Sequence, residues 1–279
     1  MIHNSGHRPI AGRFIAVSIF ILGSLIATAV LGQSPATKDT LHVLWQNMPF
    51  IALNNGDFEG TVSVQEAVRH GNIGIGAAQD LNGEVMLANG GFYRFAAKDG
   101  TASRMRAGDK LAYVAVGRLD TLGAKITLKP GTTFTGTDGN SLFAQLKPYL
   151  SNPNVYYALR ITGGFNTVKA RSFPMTVPYR PICQIQTEPY TFGEIRGTMA
   201  GFFSPSYMKN LNSANSEGLH LHFINHTYDR GGHVLDFTSA EGAQVVIMRY
   251  HQLDVGLPNT HTFSTTDLKT YYDASNCPK

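Results

Sequence analysis

Gly218-Leu219-His220-Leu221-His222-Phe223, followed by Gly231-Gly232-His233-Val234-Leu235-Asp236-Phe237, decides how this chain folds and where its chemistry lies. Side chains alternate faces along a strand, so His220 and His222 share one face while Leu221 and Phe223 point into a core. The intervening Ile224-Asn225-His226-Thr227-Tyr228-Asp229-Arg230 is turn-rich and runs into a double glycine. If the two runs pair as a hairpin, His233 stands beside the other two imidazoles. Three imidazoles with no cysteine nearby suit zinc or a similar divalent ion, and three protein ligands with one open position is the arrangement of a catalytic site. A lone histidine on a strand is more often a surface or hydrogen-bonded residue. The third histidine, across the turn, is what favours metal binding here. His226 is out of phase with the strand face and reads as surface.

Around this stretch the composition is that of a β-rich globular protein. Of 279 residues, 43% are hydrophobic and only 15% charged, and there are 29 glycines, which excludes a disordered or collagen-like chain. The length allows one large domain or two small ones. Arg8 and Arg13 precede an uncharged stretch, residues 14–31, that ends in Val30-Leu31-Gly32. It reads as a signal peptide over residues 1–32, cut after Gly32, and predicts a secreted or extracytoplasmic protein. The competing reading is an uncleaved membrane anchor formed by residues 14–31. No second long apolar run follows, so the remainder is expected to be free of the membrane. Removing the leader takes two basic and no acidic residues and lowers the net charge from +4 to +2, too little to argue for nucleic acid. Cys183 and Cys277 are the only cysteines, and an even count in an oxidising compartment suggests a disulfide tying the C-terminal tail to the region before Gln184.

Residues 33–40 form a polar linker. Residues 41–50 read as a short helix or strand, with Trp45, the only tryptophan, filling core. Ser63-Val64-Gln65-Glu66 has the form of a capping box, predicting a helix that reaches about His70 and stops at Gly71. A strand at 73–76, the tight-turn pair Asn82-Gly83, a strand opening on Glu84, and a second turn at Asn89-Gly90-Gly91 before residues 92–95 predict a β-meander. Further strands are expected at 110–118 and 125–129, and a helix at 139–149. Residues 155–162 and 165–173 read as partner strands turned at Gly163-Gly164. Arg171 falls late on the second of these, where an arginine needs a carboxylate or an anionic ligand unless it simply faces solvent. Pro174, Pro178 and Pro181 punctuate a crossing, read as the boundary between an N-terminal sheet lobe, 41–175, and a C-terminal lobe, 176–279, carrying the histidines. In the latter, strands are expected at 184–192 and 194–203, joined near Gly193, and at 244–253, with a small helix at 266–274. The fold class is α+β and β-rich: two mixed or antiparallel sheet lobes with a few short helices.

The histidine stretches, together with His70-Gly71-Asn72-Ile73-Gly74-Ile75-Gly76, Leu81-Asn82-Gly83-Glu84, Tyr157-Ala158-Leu159-Arg160-Ile161-Thr162-Gly163 and Val168-Lys169-Ala170-Arg171-Ser172, resemble the acetolactate decarboxylase family. The blocks come in that family's order and span roughly residues 41–270. The resemblance implies a zinc ion on His220, His222 and His233, a site glutamate at Glu84, a site arginine at Arg171, two sheet-based lobes and a homodimer. It departs near the C-terminus, where the family carries a second site glutamate. Here no glutamate follows Glu241, and Asp273 is the nearest acid, one methylene shorter.

The implied substrate is 2-acetolactate and the product acetoin. Loss of carbon dioxide leaves electrons beside the ketone as an enediolate, which a Lewis-acidic ion stabilises. Arg171 would bind the departing carboxylate or the enediolate, and Glu84 would exchange the proton that completes the product. Two rival readings are a three-histidine zinc enzyme of the carbonic-anhydrase kind and a secreted metal-binding β-protein without turnover.

Overall fold

The computed structural model describes residues 42–120, 123–135, 141–210, 215 and 217–278. The predicted leader and linker, residues 1–40, lie outside the described residues. The first sheet takes β1 (Val43–Gln46), β2 (Val62–Ser63), β3 (Ile73–Ala78), β4 (Glu84–Ala88), β5 (Gly91–Phe95), β6 (Ala102–Arg104) and β7 (Lys110–Gly117). The second takes β8 (Ala124–Thr127), β9 (Thr133–Phe134), β10 (Tyr156–Arg171), β11 (Tyr190–Ser204), β12 (Gly218–Asn225), β13 (Gly231–Ser239) and β14 (Gln244–Tyr250). The last strand, β15 (Gln252–Val255), returns to the first sheet and lies parallel to β1. The orders are β15-β1-β7-β3-β4-β5-β6, with β2 on β7, and β8-β14-β10-β11-β12-β13-β9. Among the described residues the α-helices are short: α1 (Phe50–Asn54), α2 (Val64–Ala67), α3 (Ser141–Leu146), α4 (Tyr207–Asn210) and α5 (His261–Thr265).

Local chemistry accounts for much of this. Ser63 caps α2, its hydroxyl accepting from the Glu66 amide at 3.2 Å, and a 3-10 turn carries the helix to His70. Gly83 sits at φ +102°, the left-handed backbone that the turn into β4 requires. The meander β3–β4–β5 forms in antiparallel register as the turn pairs predict. Trp45 stacks on His70 with ring centroids 3.8 Å apart.

Several boundaries differ from the sequence expectation. Residues 155–173 do not fold back at Gly163-Gly164. They form a single long strand, β10, which pairs along its length with the equally long β11 from Tyr157↔Phe203 to Ala170↔Tyr190. Gly163 is required by close packing, not by a turn: a Cβ there would lie 2.6 Å from Ala243 Cα. The strands expected at 184–192 and 194–203 likewise merge into β11, preceded by a 3-10 turn at Ile182–Gln184. Length lets β10 serve two neighbours, β14 along its first half and β13 along its second. Strands β10, β11, β12 and β13 thereby close a ring around Phe165, Phe223, Phe237, Val168 and Met199.

The proline-punctuated crossing at 174–181 does not separate the sheets. Strands β8, β9 and β10 precede it yet belong to the second sheet, and β15 follows it yet belongs to the first. The run 244–253 is two strands, β14 and β15, in different sheets. The helix expected at 266–274 falls instead at α5, where Thr260 accepts from the Phe263 amide. The sheets meet through a shared core in which Ile75, Met86 and Tyr113 of the first pack with Ala158, Phe202 and Tyr250 of the second.

Candidate metal centre

Strands β12 and β13 pair as the histidine spacing predicts, with His222 directly opposite His233. Strand β10 lies on the far side of β13, and there Arg171 is opposite His233. Three neighbouring strands thus place Arg171, His233 and His222 side by side, with His220 two residues along the same face. The ring nitrogens converge: His220 Nε2 is 3.0 Å from His233 Nδ1 and 3.2 Å from His222 Nε2. His222, fully buried, donates its Nδ1–H to the Val85 carbonyl at 2.7 Å, which turns its Nε2 lone pair toward the other two rings.

Glu84 arrives from the opposite sheet as the first residue of β4, 5% exposed. Its carboxylate lies 3.6 Å from His222 Nε2 and 3.9 Å from His233 Nδ1. Arg171 Nη1 donates to Glu84 Oε1 at 3.1 Å, and its guanidinium sits 4.3 Å over the Phe173 ring. Ser172 locks the two sheets together at this point: its hydroxyl accepts from the Glu84 amide at 2.8 Å and donates to the Phe95 carbonyl at 2.8 Å.

Burial sets the charge states. Desolvation, with Arg171 adding to it, holds His220 down at about 3, and desolvation depresses His222 and His233 well below the usual imidazole range. All three rings are therefore neutral, the form that binds a metal. The same desolvation pushes the Glu84 carboxyl up to about 7, with Arg171 pulling the other way.

The donor set fits a divalent ion. Nitrogens at about 2.0–2.1 Å from a tetrahedral zinc stand roughly 3.3–3.4 Å apart, and the three donor atoms here lie within 4.8 Å of one another, two of the separations being 3.0 and 3.2 Å. His220 and His233 line a cavity of about 310 Å³ whose walls also include Glu84, Arg171, Tyr113 and Phe173, with the fully buried His222 in contact with His220.

Sequence reasoning placed five of these residues. It missed Ser172, whose role is visible only once the sheets are packed, and it missed Glu217 and Tyr271, which also line the cavity. Glu217 stands one residue ahead of β12 and Tyr271 in the irregular tail, and nothing periodic marks either. Asp273, the acid nearest the expected second glutamate, is exposed and accepts from the amide and hydroxyl of Ser275. It is not among the cavity's lining residues. His226 is exposed, as its phase predicts.

Fold and site together define a class: a two-sheet protein with a three-histidine group of the kind that holds a divalent ion, opening on a small-molecule cavity. Residues 44–270 match the family model described as alpha-acetolactate decarboxylase, and the chain belongs to that family, a family of carboxy-lyases. It is 33% identical over 243 residues to an alpha-acetolactate decarboxylase of Brevibacillus brevis, covering 85% of this chain and 80% of that one. It is 31% identical to that of Bacillus subtilis strain 168 over 81% of this chain and 85% of the relative. The crystal structure of the Bacillus subtilis strain 168 enzyme superimposes with a TM-score of 0.73 at 28% identity, covering 84% of this chain and 97% of the other.

Proposed function

We propose that this protein decarboxylates 2-acetolactate to acetoin in the cavity over His220, His222 and His233, with zinc as its ion. The observation that carries the reading is the meeting, at one cavity, of three neutral imidazoles from one sheet, one buried and two half-buried, with a buried carboxylate from the other. Zinc bound there would act as a Lewis acid toward negative charge developing on the substrate's oxygens.

Arg171 presents a fixed positive charge into the cavity, where it binds the substrate carboxylate and then the enediolate left after carbon dioxide departs. Phe173 beneath it and Glu84 beside it hold the guanidinium in place. Glu84 delivers the proton that turns the enediolate into acetoin. Burial raises its affinity for a proton into the neutral range, which suits a group that must both take up and release one. Ser172 fixes the backbone from which Glu84 projects. The walls of Tyr113 and Phe173 exclude water from the carbanion-like intermediate.

The reading includes export directed by residues 1–32 and a homodimer. The Cys183–Cys277 bridge supports export, because disulfides persist in oxidising compartments.

The test is acetoin formation by the purified protein, with and without chelator, alongside metal content. His222→Ala is expected to lose bound zinc and acetoin production together. Undiminished activity in chelator-stripped His222→Ala protein would defeat the assignment. Carbon dioxide hydration without acetoin formation would move the site to the carbonic-anhydrase kind.

A further inference from the structure

A second cavity, of about 610 Å³, opens between the two sheets and shares no lining residue with the histidine cavity. Its charge comes from two arginines on adjacent antiparallel strands, Arg160 of β10 and Arg196 of β11. In that register Arg160 is opposite Ala200, Thr162 is opposite Thr198, and Gly164 is opposite Arg196. Residues two apart share a face, so both guanidiniums and both threonines point to the same side of the sheet. The threonine hydroxyls stand 3.3 Å apart between the two arginines. Arg196 lies over Gly164, its Nη1 3.8 Å from where a Cβ would stand, an ordinary contact.

Among the described residues no carboxylate neutralises this pair. No Asp or Glu is among the residues lining the cavity, and among the described residues neither arginine has a carboxylate within ion-pair distance. Arg171, by contrast, is answered by Glu84. The facing wall from the first sheet carries the buried side chains of Ile73 and Met86, and Ile224 and Val246, opposite Thr198 and Arg160 on the flanking strands β12 and β14, add apolar surface beside the arginines. A cleft of this volume with apolar surface and two cationic donors along one side has the make-up of a small-molecule site. Two unanswered guanidinium forks beside hydroxyls select an oxyanion.

We propose that this inter-sheet cleft is a second ligand site, for a small organic oxyanion: a carboxylate or phosphate monoester whose apolar body lies against Ile73, Met86 and Ile224. The site is independent of the proposed chemistry at the histidines. It adjoins them structurally, because Ala200 in its floor pairs with His222, and Met86 follows Val85, whose carbonyl holds that histidine.

Isothermal titration of the full, zinc-loaded protein tests it, with hexanoate, hexyl phosphate and hexan-1-ol as probes. Saturable binding of hexanoate or hexyl phosphate and none of hexan-1-ol is expected, and the tighter of the two anions identifies the ligand class. Arg160→Gln and Arg196→Gln should each weaken that binding by roughly tenfold or more, since each removes one charged fork. Arg196 is exposed, so its variant keeps the fold even if the half-buried Arg160 proves harder to replace. His222→Ala should bind the probes as well as the parent. Failure of both anions to saturate, equal binding of hexan-1-ol, or binding lost in His222→Ala but kept in both arginine variants would each overturn the proposal. The last outcome would place the anion at the histidine cavity instead.

Discussion

Replacing both Cys183 and Cys277 with serine should destabilise the protein strongly while leaving the folded tail in place. The two residues are 94 apart in sequence, with Cα atoms 5.9 Å apart. In the chain-entropy account, a loop of that length removes about 4.7 kcal/mol of conformational freedom from the unfolded state at 25 °C. The folded tail has other anchors that survive the change. Asn54 donates to the Tyr272 carbonyl at 2.8 Å, Asn55 donates to the Asp267 and Thr270 carbonyls at 2.6 Å each, and Gln184 donates to the Pro278 carbonyl at 2.6 Å. The native tail should therefore stay docked, and the loss should fall on the unfolded side of the equilibrium. For a chain of this size roughly 2–4 °C of melting temperature accompany each kcal/mol, so the expected fall is roughly 10–20 °C. Circular-dichroism melts of the double serine variant, and of the parent with and without reductant, measure it. Metal content and KM should both be unchanged, because the three histidines sit on β12 and β13 and Tyr271 stays docked with the tail. A melting temperature within about 3 °C of the parent would refute the loop-entropy reasoning.

On the proposed reading, Arg171→Ala should retain the bound metal, since no ring nitrogen depends on the guanidinium, yet lower turnover by about 100-fold as one preorganised charge is lost. Loss of zinc from that variant, measured by metal analysis, would make the arginine structural. Ser172→Ala leaves the buried Glu84 amide and Phe95 carbonyl without the bridging hydroxyl, at a cost of roughly 2–4 kcal/mol for the two groups. Urea denaturation should show that loss, and an unchanged midpoint would mean the bridge contributes nothing. Asp57 is fully buried with Oδ2 unbonded, and burial raises its pKa from 3.8 to about 6. Its folded form holds the proton more tightly than the unfolded chain. The stability it confers is complete below the unfolded value and is lost as pH rises through about 6. Asp57→Asn should remove that decline, and stability measured at pH 4, 5, 6 and 7 should then run flatter than in the parent. A parallel curve would refute the assignment.

Local pattern carried the reading wherever one strand or one turn set the geometry. The alternation through His220 and His222, the turn that brings His233 opposite, the Asn82-Gly83 turn that delivers Glu84 and the capping box at Ser63 all involve residues within a dozen positions of one another. Backbone periodicity and turn chemistry are local properties, so the sequence alone determined them. The same reasoning misplaced the hairpin at Gly163-Gly164, because a glycine that admits a neighbouring backbone looks the same in sequence as one that turns a chain.

What only the tertiary structure decided is which distant segments meet. Arg171 reaches Glu84 across 87 positions because β10 is long enough to leave β14 and pair with β13. Ser172 joins them because the sheets close face to face there. Tyr271 and Glu217 line the cavity from irregular segments that no periodicity marks, and Arg160 and Arg196 come to line one cleft only through the register of two long strands. Strand pairing, register and sheet packing are set by the burial of the whole apolar surface at once. No window of sequence contains that sum, so the histidine strands were legible from local pattern, Glu84 and Arg171 only through the family resemblance, and Ser172, Glu217 and Tyr271 not at all.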